Sequence, residues 1–191
     1  AHEITLESIP PLLRLKVVEE DPPSNDYFKL TRPEKLSDTP AVIARIVRGP
    51  DYVRRIVVSA ARSRDINEKP LTFHWVVLRG DEQKIQIDLR DGGAVAEIKV
   101  AYHPRRPIAK NSAMTSNRVD IGVFVQSTSV LSAPGFITFY SLDNELRTYG
   151  EGGHLLEIYY MATDLHRRVR NWNRIFEMLD ETPNRFPAHV L

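Results

Sequence analysis

Between residues 40 and 161 apolar side chains recur at every second position in short runs, and each run ends at a cluster of Gly, Pro, Asn or Asp. That is the pattern of strands with one buried and one wet face, punctuated by turns. The runs 41–47 (AVIARIV) and 52–61 (YVRRIVVSAA) flank an Arg48-Gly49-Pro50-Asp51 turn, and 71–78 (LTFHWVVL) follows the polar turn 65–70 (DINEKP). A Gly80-Asp81 turn leads to 84–89, where Ile85, Ile87 and Leu89 face one way and Gln86 and Asp88 the other. Asp91-Gly92-Gly93 is a hairpin signal, after which Ala96, Ile98, Val100 and Tyr102 alternate with Glu97, Lys99 and Ala101. A long loop, 103–118, precedes runs at 119–125 and 135–142, and 155–161 closes the series. Seven or eight short strands separated by turn chemistry predict an all-β antiparallel sandwich over residues 40–162.

The two ends of the chain read differently. Residues 1–39 carry Pro10, Pro11, Pro22, Pro23 and Pro33, which forbid a long helix and predict an extended leader crossing the main body or linking it to a neighbour. Within it, residues 12–18 partly alternate and have the makings of a strand, and Phe28 and Leu30 are apolar pins for the arm that follows. Over 163–191 the period changes to that of a helix: Leu165, Val169, Trp172, Ile175, Phe176 and Leu179 share one face, with Thr163 or Asp164 as cap and Pro183 beyond the end. The opposite face mixes Arg167, Arg168, Arg170 and Arg174 with Glu177 and Asp180, as a solvated surface does. The apolar stripe needs cover, either from the sandwich or from a sister chain in a homo-oligomer.

One stretch orients the whole reading. The run 60–75 (AARSRDINEKPLTFHW), followed by Gly80-Asp81, resembles the PKD-like and cadherin-like immunoglobulin-type modules of exported bacterial multidomain proteins. In those modules a small-residue strand leads into an aspartate-rich turn and then a Leu-Thr-aromatic-x-Trp strand. The resemblance covers about residues 40–161 and is most specific here. This turn departs from the family's usual Asp-x-Asp-Gly-Asp pattern, and five residues part Trp75 from Asp81. It implies an immunoglobulin-like β-sandwich with Trp75 as a core anchor, to which the prolines add an extended N-terminal arm and the helical period a C-terminal α-helix. It further implies an extracellular or periplasmic setting among neighbouring domains of a larger precursor, and a role as a binding or spacer module. The chain starts at Ala1 without methionine, in keeping with a piece of a longer protein.

Composition narrows the partners. The 191 residues hold 26 basic and 25 acidic side chains, for a net charge of +1, so the overall charge gives no electrostatic case for nucleic acid. Zero cysteines removes disulfides, thiolate metal sites and cysteine nucleophiles. No apolar run approaches a membrane span, and no signal-peptide pattern opens the chain.

Three places carry candidate chemistry. The basic loop brings Arg105, Arg106, Lys110, Asn117 and Arg118 together in sequence, a set able to grip a carboxylate or sulfate, or to meet a polysaccharide or protein partner. The competing reading is a solvated loop whose arginines pair with Asp120 or Glu97. The turn oxygens of Asp65, Asn67 and Glu68, with Asp81, make a candidate site for structural calcium, against an Asx turn that satisfies its own backbone. Tyr140, Tyr149, Tyr159 and Tyr160 offer flat rings for sugars, or simply pack. His74 and His103 are the two histidines with a chance of meeting in space.

Catalytic signatures are missing. The chain has no G-x-S-x-G elbow, no phosphate-binding glycine loop and no H-E-x-x-H, and its six histidines are scattered. The sequence therefore predicts a non-catalytic binding or spacer module, the alternatives being an accessory or catalytic fragment of a larger hydrolase or an oligomerising structural unit.

Overall fold

The computed structural model describes residues 8–21, 34–128 and 130–160. Strands dominate it: β1 (Lys16–Glu20), β2 (Lys35–Asp38), β3 (Val42–Val47), β4 (Val53–Ser59), β5 (Leu71–Arg79), β6 (Ile85–Arg90), β7 (Val95–Ala101), β8 (Arg106–Pro107), β9 (Thr115–Ser116), β10 (Val119–Ser127), β11 (Val130–Leu131), β12 (Gly135–Ser141), β13 (Glu145–Tyr149) and β14 (Leu155–Tyr160). Only short 3-10 turns interrupt them, so the described chain is all-β. The amphipathic stripe of residues 165–179 lies outside the described residues, as do 1–7 and 22–33 of the leader. Among the described residues no helix is long and apolar enough to cross a membrane.

Two sheets account for most strands. The smaller has the order β1-β4-β7-β6 and is antiparallel throughout. In the larger, β10 is central: β5 runs along one edge, β12 and then β11 along the other, and β3 and β2 continue beyond β12. One pairing departs from the antiparallel expectation. β12 and β3 run parallel, from Phe136 opposite Val42 to Ser141 opposite Val47. A parallel pair needs a long connection between its strands, and these two come from opposite ends of the series. Two small ladders, β13-β14 and β8-β9, complete the set.

The alternation read from the sequence is what builds the core. Ile43 and Val47 of β3, Ile56 and Val58 of β4, Ala96, Ile98 and Val100 of β7, four alternate residues of β10 from Val119 to Val125, and Ile137 and Phe139 of β12 form one buried cluster shared by both sheets. In β6, Ile85 and Ile87 pack against it, while Leu89 shares their face but stays half exposed at the edge. Trp75 packs on the cluster only partly buried, and its ring nitrogen donates to the Gly93 carbonyl at 2.8 Å. Residues 12–20 of the leader contribute too: Leu13 and Leu15 enter the core, β1 pairs with β4, and Leu12 exchanges backbone hydrogen bonds with Arg64. The Asp91-Gly92-Gly93 turn closes β6 onto β7 with all three residues at positive φ, the conformation that favours glycine.

The outward faces of the two sheets differ in kind. On the smaller sheet Glu97 pairs with Arg55 at 3.0 Å, with Lys99 at 3.2 Å and with Arg90, and Arg55 reaches on to Glu19 at 2.8 Å and Asp21 at 3.2 Å. On the larger sheet the register lines up Val42, Phe136, Gly122 and Val76 across four strands. Val42, Val76 and the adjacent Leu78 remain exposed there.

Candidate functional site

The basic loop folds back on its own acids and carbonyls. Arg105 binds the Asp143 carboxylate at 2.6 Å and donates to the Thr115 carbonyl at 2.6 Å and hydroxyl at 2.9 Å. Arg106 lies 3.4 Å from Asp81 and is partly exposed. Lys110 sits at the exposed tip, where Asn111 takes a positive φ. Arg118 holds Asp120 at 2.6 Å and lies over the Tyr140 ring, 5.6 Å from its centre. Asn117 is buried, its amide donating to the Ser141 carbonyl at 2.8 Å. The five residues, near one another in sequence, therefore do not converge: Asn117 ties the loop to the end of β12 and Arg105 to the turn after it, and Arg118 belongs to the outer face of the larger sheet.

The candidate cation turn behaves similarly. Asp65 is buried, and one of its carboxylate oxygens accepts the Asn67 amide at 2.8 Å and the Lys69 amide at 3.4 Å. A hydrogen bond from Ser127, with help from those amides, holds its pKa below the usual aspartate range. Glu68 closes the turn at φ 56°. Asp81 does not join them. It caps the 3-10 turn Glu82–Lys84 through the Gln83 amide, at the other end of the nine-residue β5. At strand spacing that is about 30 Å away, too far to share an ion. Among the described residues no group of three or more His, Asp or Glu side chains is arranged to hold a metal.

The histidines are also kept apart. His74 bonds to Gln126 at 3.0 Å on the outer face of β5, whereas His103 is buried beyond that strand's far end. The His103 Nε2 accepts the Asp81 amide at 3.0 Å, so its proton resides on Nδ1, which donates to the Ala101 carbonyl at 2.7 Å. Burial pushes its pKa below the ordinary histidine value. It is a neutral brace for the turn after β5.

Reading by alternation misses a set of buried charges. Arg45, between Ile43 and Val47, grips Glu20 of β1 with two bonds of 2.7 and 2.9 Å and so bridges the two sheets. At the end of the core Glu34 accepts the Arg48 and Gly49 amides at 2.7 and 2.8 Å and pairs with Arg54 at 2.7 Å. On the other side of the same turn Arg147, paired with Glu145 at 2.7 Å, donates to the Gly49 carbonyl at 2.6 Å and the Arg48 carbonyl at 3.2 Å. One turn is thus held by a carboxylate on its amides and a guanidinium on its carbonyls. Burial opposes the Arg147 charge, but Tyr149 and Glu145 more than offset it and raise its pKa. Tyr149 packs between Tyr52 and Tyr102 with tilted rings, centroids 4.9 and 5.4 Å away, and burial pushes its hydroxyl pKa up. The signal available in sequence was an arginine at a core-parity position, as in the AVIARIV run.

Of the four candidate sugar-stacking rings, Tyr149 is packed in that cluster, Tyr140 lies under Arg118, and Tyr159 and Tyr160 are exposed on β14. The functional candidate the geometry isolates is the outer face of the larger sheet. Its apolar row is bordered by Asp120, which accepts the Thr138 hydroxyl at 2.7 Å and is flanked by Arg118 at 2.6 Å and Arg79 at 3.5 Å. No family model, curated protein or solved structure matches this chain.

Proposed function

We propose that the chain is an immunoglobulin-like β-sandwich acting as a non-catalytic binding module that meets a protein partner through the outer face of its larger sheet. The strand order supports the fold: with β1, β4, β7 and β6 read as one sheet and β5, β10 and β12 as the other, it follows the Greek-key order of immunoglobulin domains, β3 being the extra strand parallel to the last. The resemblance of residues 59–81 supports a setting in an exported, multidomain bacterial protein.

The observation that carries the binding reading is the contrast between the two outer faces. The smaller sheet presents a lattice of paired charges, which favours water. The larger presents Val42, Phe136, Val76 and Leu78 beside Arg118 and Tyr140, and aromatic and arginine side chains around an apolar centre are the composition of interface cores.

Selection of a displayed random-peptide library on the 191-residue chain tests this. Binders whose capture is abolished by Val76→Lys, in a variant that melts like the parent, support the reading. Binders indifferent to Val76→Lys, or a glycan array in which a polysaccharide binds and raises the melting temperature, would refute it.

A further inference from the structure

From the Asn117 side chain and the cavity it borders, we infer an internal binding site for one water molecule at the junction of the two sheets. Asn117 is 5% exposed. Its amide nitrogen is committed to the Ser141 carbonyl, a pure acceptor, and this fixes which way round the amide sits. The Oδ1 is consequently aimed elsewhere, and it is buried with no hydrogen-bond partner among the described residues. An acceptor left in that condition costs about 1–3 kcal/mol, so the fold has reason to supply it with a donor.

The cavity beside it defines that donor. Its volume is about 20 Å³, and its lining includes Asp51, Arg54, Tyr102, Asn117 and Ser141. About 10–15 Å³ on this measure accommodates one water, so the space beside Asn117 suits a single one. The occupant must donate to Oδ1, which excludes a simple anion. Arg54 and Asp51 lie 3.7 Å apart and offset one another, so the lining favours a neutral guest over a cation. The guest's own oxygen needs a donor in return, and Arg54, Tyr102 and Ser141 all carry donor groups. Tyr102 is well suited, because its hydroxyl oxygen accepts the Arg147 amide at 3.2 Å and its proton is left to give. His103 also borders the cavity, but both its ring nitrogens are already engaged. The bound water thus joins Asn117, which enters β10, to the charged and tyrosine-rich end of the core.

Water-selective nuclear Overhauser spectra of the full chain read this site directly. A cross-peak at the Asn117 side-chain amide with the sign of a water that outlasts molecular tumbling is expected. Val47→Ile, which enlarges a side chain on the cavity wall, is expected to erase that peak and reduce the folding equilibrium constant about tenfold, since it strands Oδ1. No long-lived water at Asn117 in the parent chain would overturn the inference. So would a Val47→Ile variant more stable than the parent, the outcome for filling a dry cavity.

Discussion

Removing the Glu34 carboxylate should be among the costliest single changes outside the apolar core. Its two oxygens serve three donors, the Arg48 and Gly49 amides and the Arg54 guanidinium, and the Glu34 and Arg54 side chains are each only 7% exposed. In Glu34→Ala the nearest remaining acid to Arg54 among the described residues is Asp51 at 3.7 Å, and two turn amides lose their acceptor. Breaking a buried pair from one side costs about 3–5 kcal/mol. For a chain of this length that corresponds to a fall of roughly 6–20 °C in melting temperature. Arg54→Met should cost less, because Glu34 keeps both amides. The double variant should then lose clearly less than the sum of the two, because no buried charge is left alone, with a coupling energy of at least about 1 kcal/mol. Urea unfolding of the four proteins at constant slope measures this. Additivity within about 0.5 kcal/mol would refute the reasoning, since it would mean that the two charges do not depend on each other.

Four further outcomes follow from the same geometry. Glu97, paired first with Arg55 and then with Lys99, should titrate at about 2 by carboxyl carbon resonance; its contribution is complete above the unfolded value near 4.5 and is lost as pH falls toward 2, and Glu97→Gln should flatten that part of the acid-unfolding curve. His103 should stay neutral below pH 6.5 with its proton on Nδ1, and because the unfolded chain takes up that proton first, stability should decline as pH drops below about 6.5, a decline that His103→Gln should remove. Gly135→Ala should destabilise by about 1–3 kcal/mol, because its new methyl would sit 2.6 Å from Leu13 and 2.9 Å from Leu15, and Leu13→Ala should recover part of that loss in urea titrations. Calcium should leave the melting temperature unchanged, because the Asp65 carboxylate is already used by its own turn; a rise with calcium that Asp65→Asn removes would show otherwise.

Strand positions were legible because alternation is a local property. The runs around Ile56, Ile98 and Ile137 declare their inward faces without help from the rest of the chain. Turns were legible for the same reason, as at Asp91-Gly92-Gly93 and at Asp65. Pairing was not, since nothing local in AVIARIV says that its neighbour is β12 or that the two run parallel. Nor does closeness in sequence say which basic side chains of the 103–118 loop meet in space, since Arg105 pairs with Asp143 and Arg118 with Asp120. Nor can a charge such as Arg147 be recognised as buried until the turn it holds, about 98 positions earlier, is brought beside it.

The parallel pairing of β3 with β12 also has a consequence in time. Val42 must wait for Phe136, 94 positions later, before its strand gains that neighbour. At a synthesis rate of about 5–20 residues per second the interval is roughly 5–19 s, during which one edge of an apolar strand is available to any other extended chain. β2 can shield its opposite edge almost at once. On the ribosome, then, the seam between β3 and β12 is a line of this protein that stays open until β12 has been made.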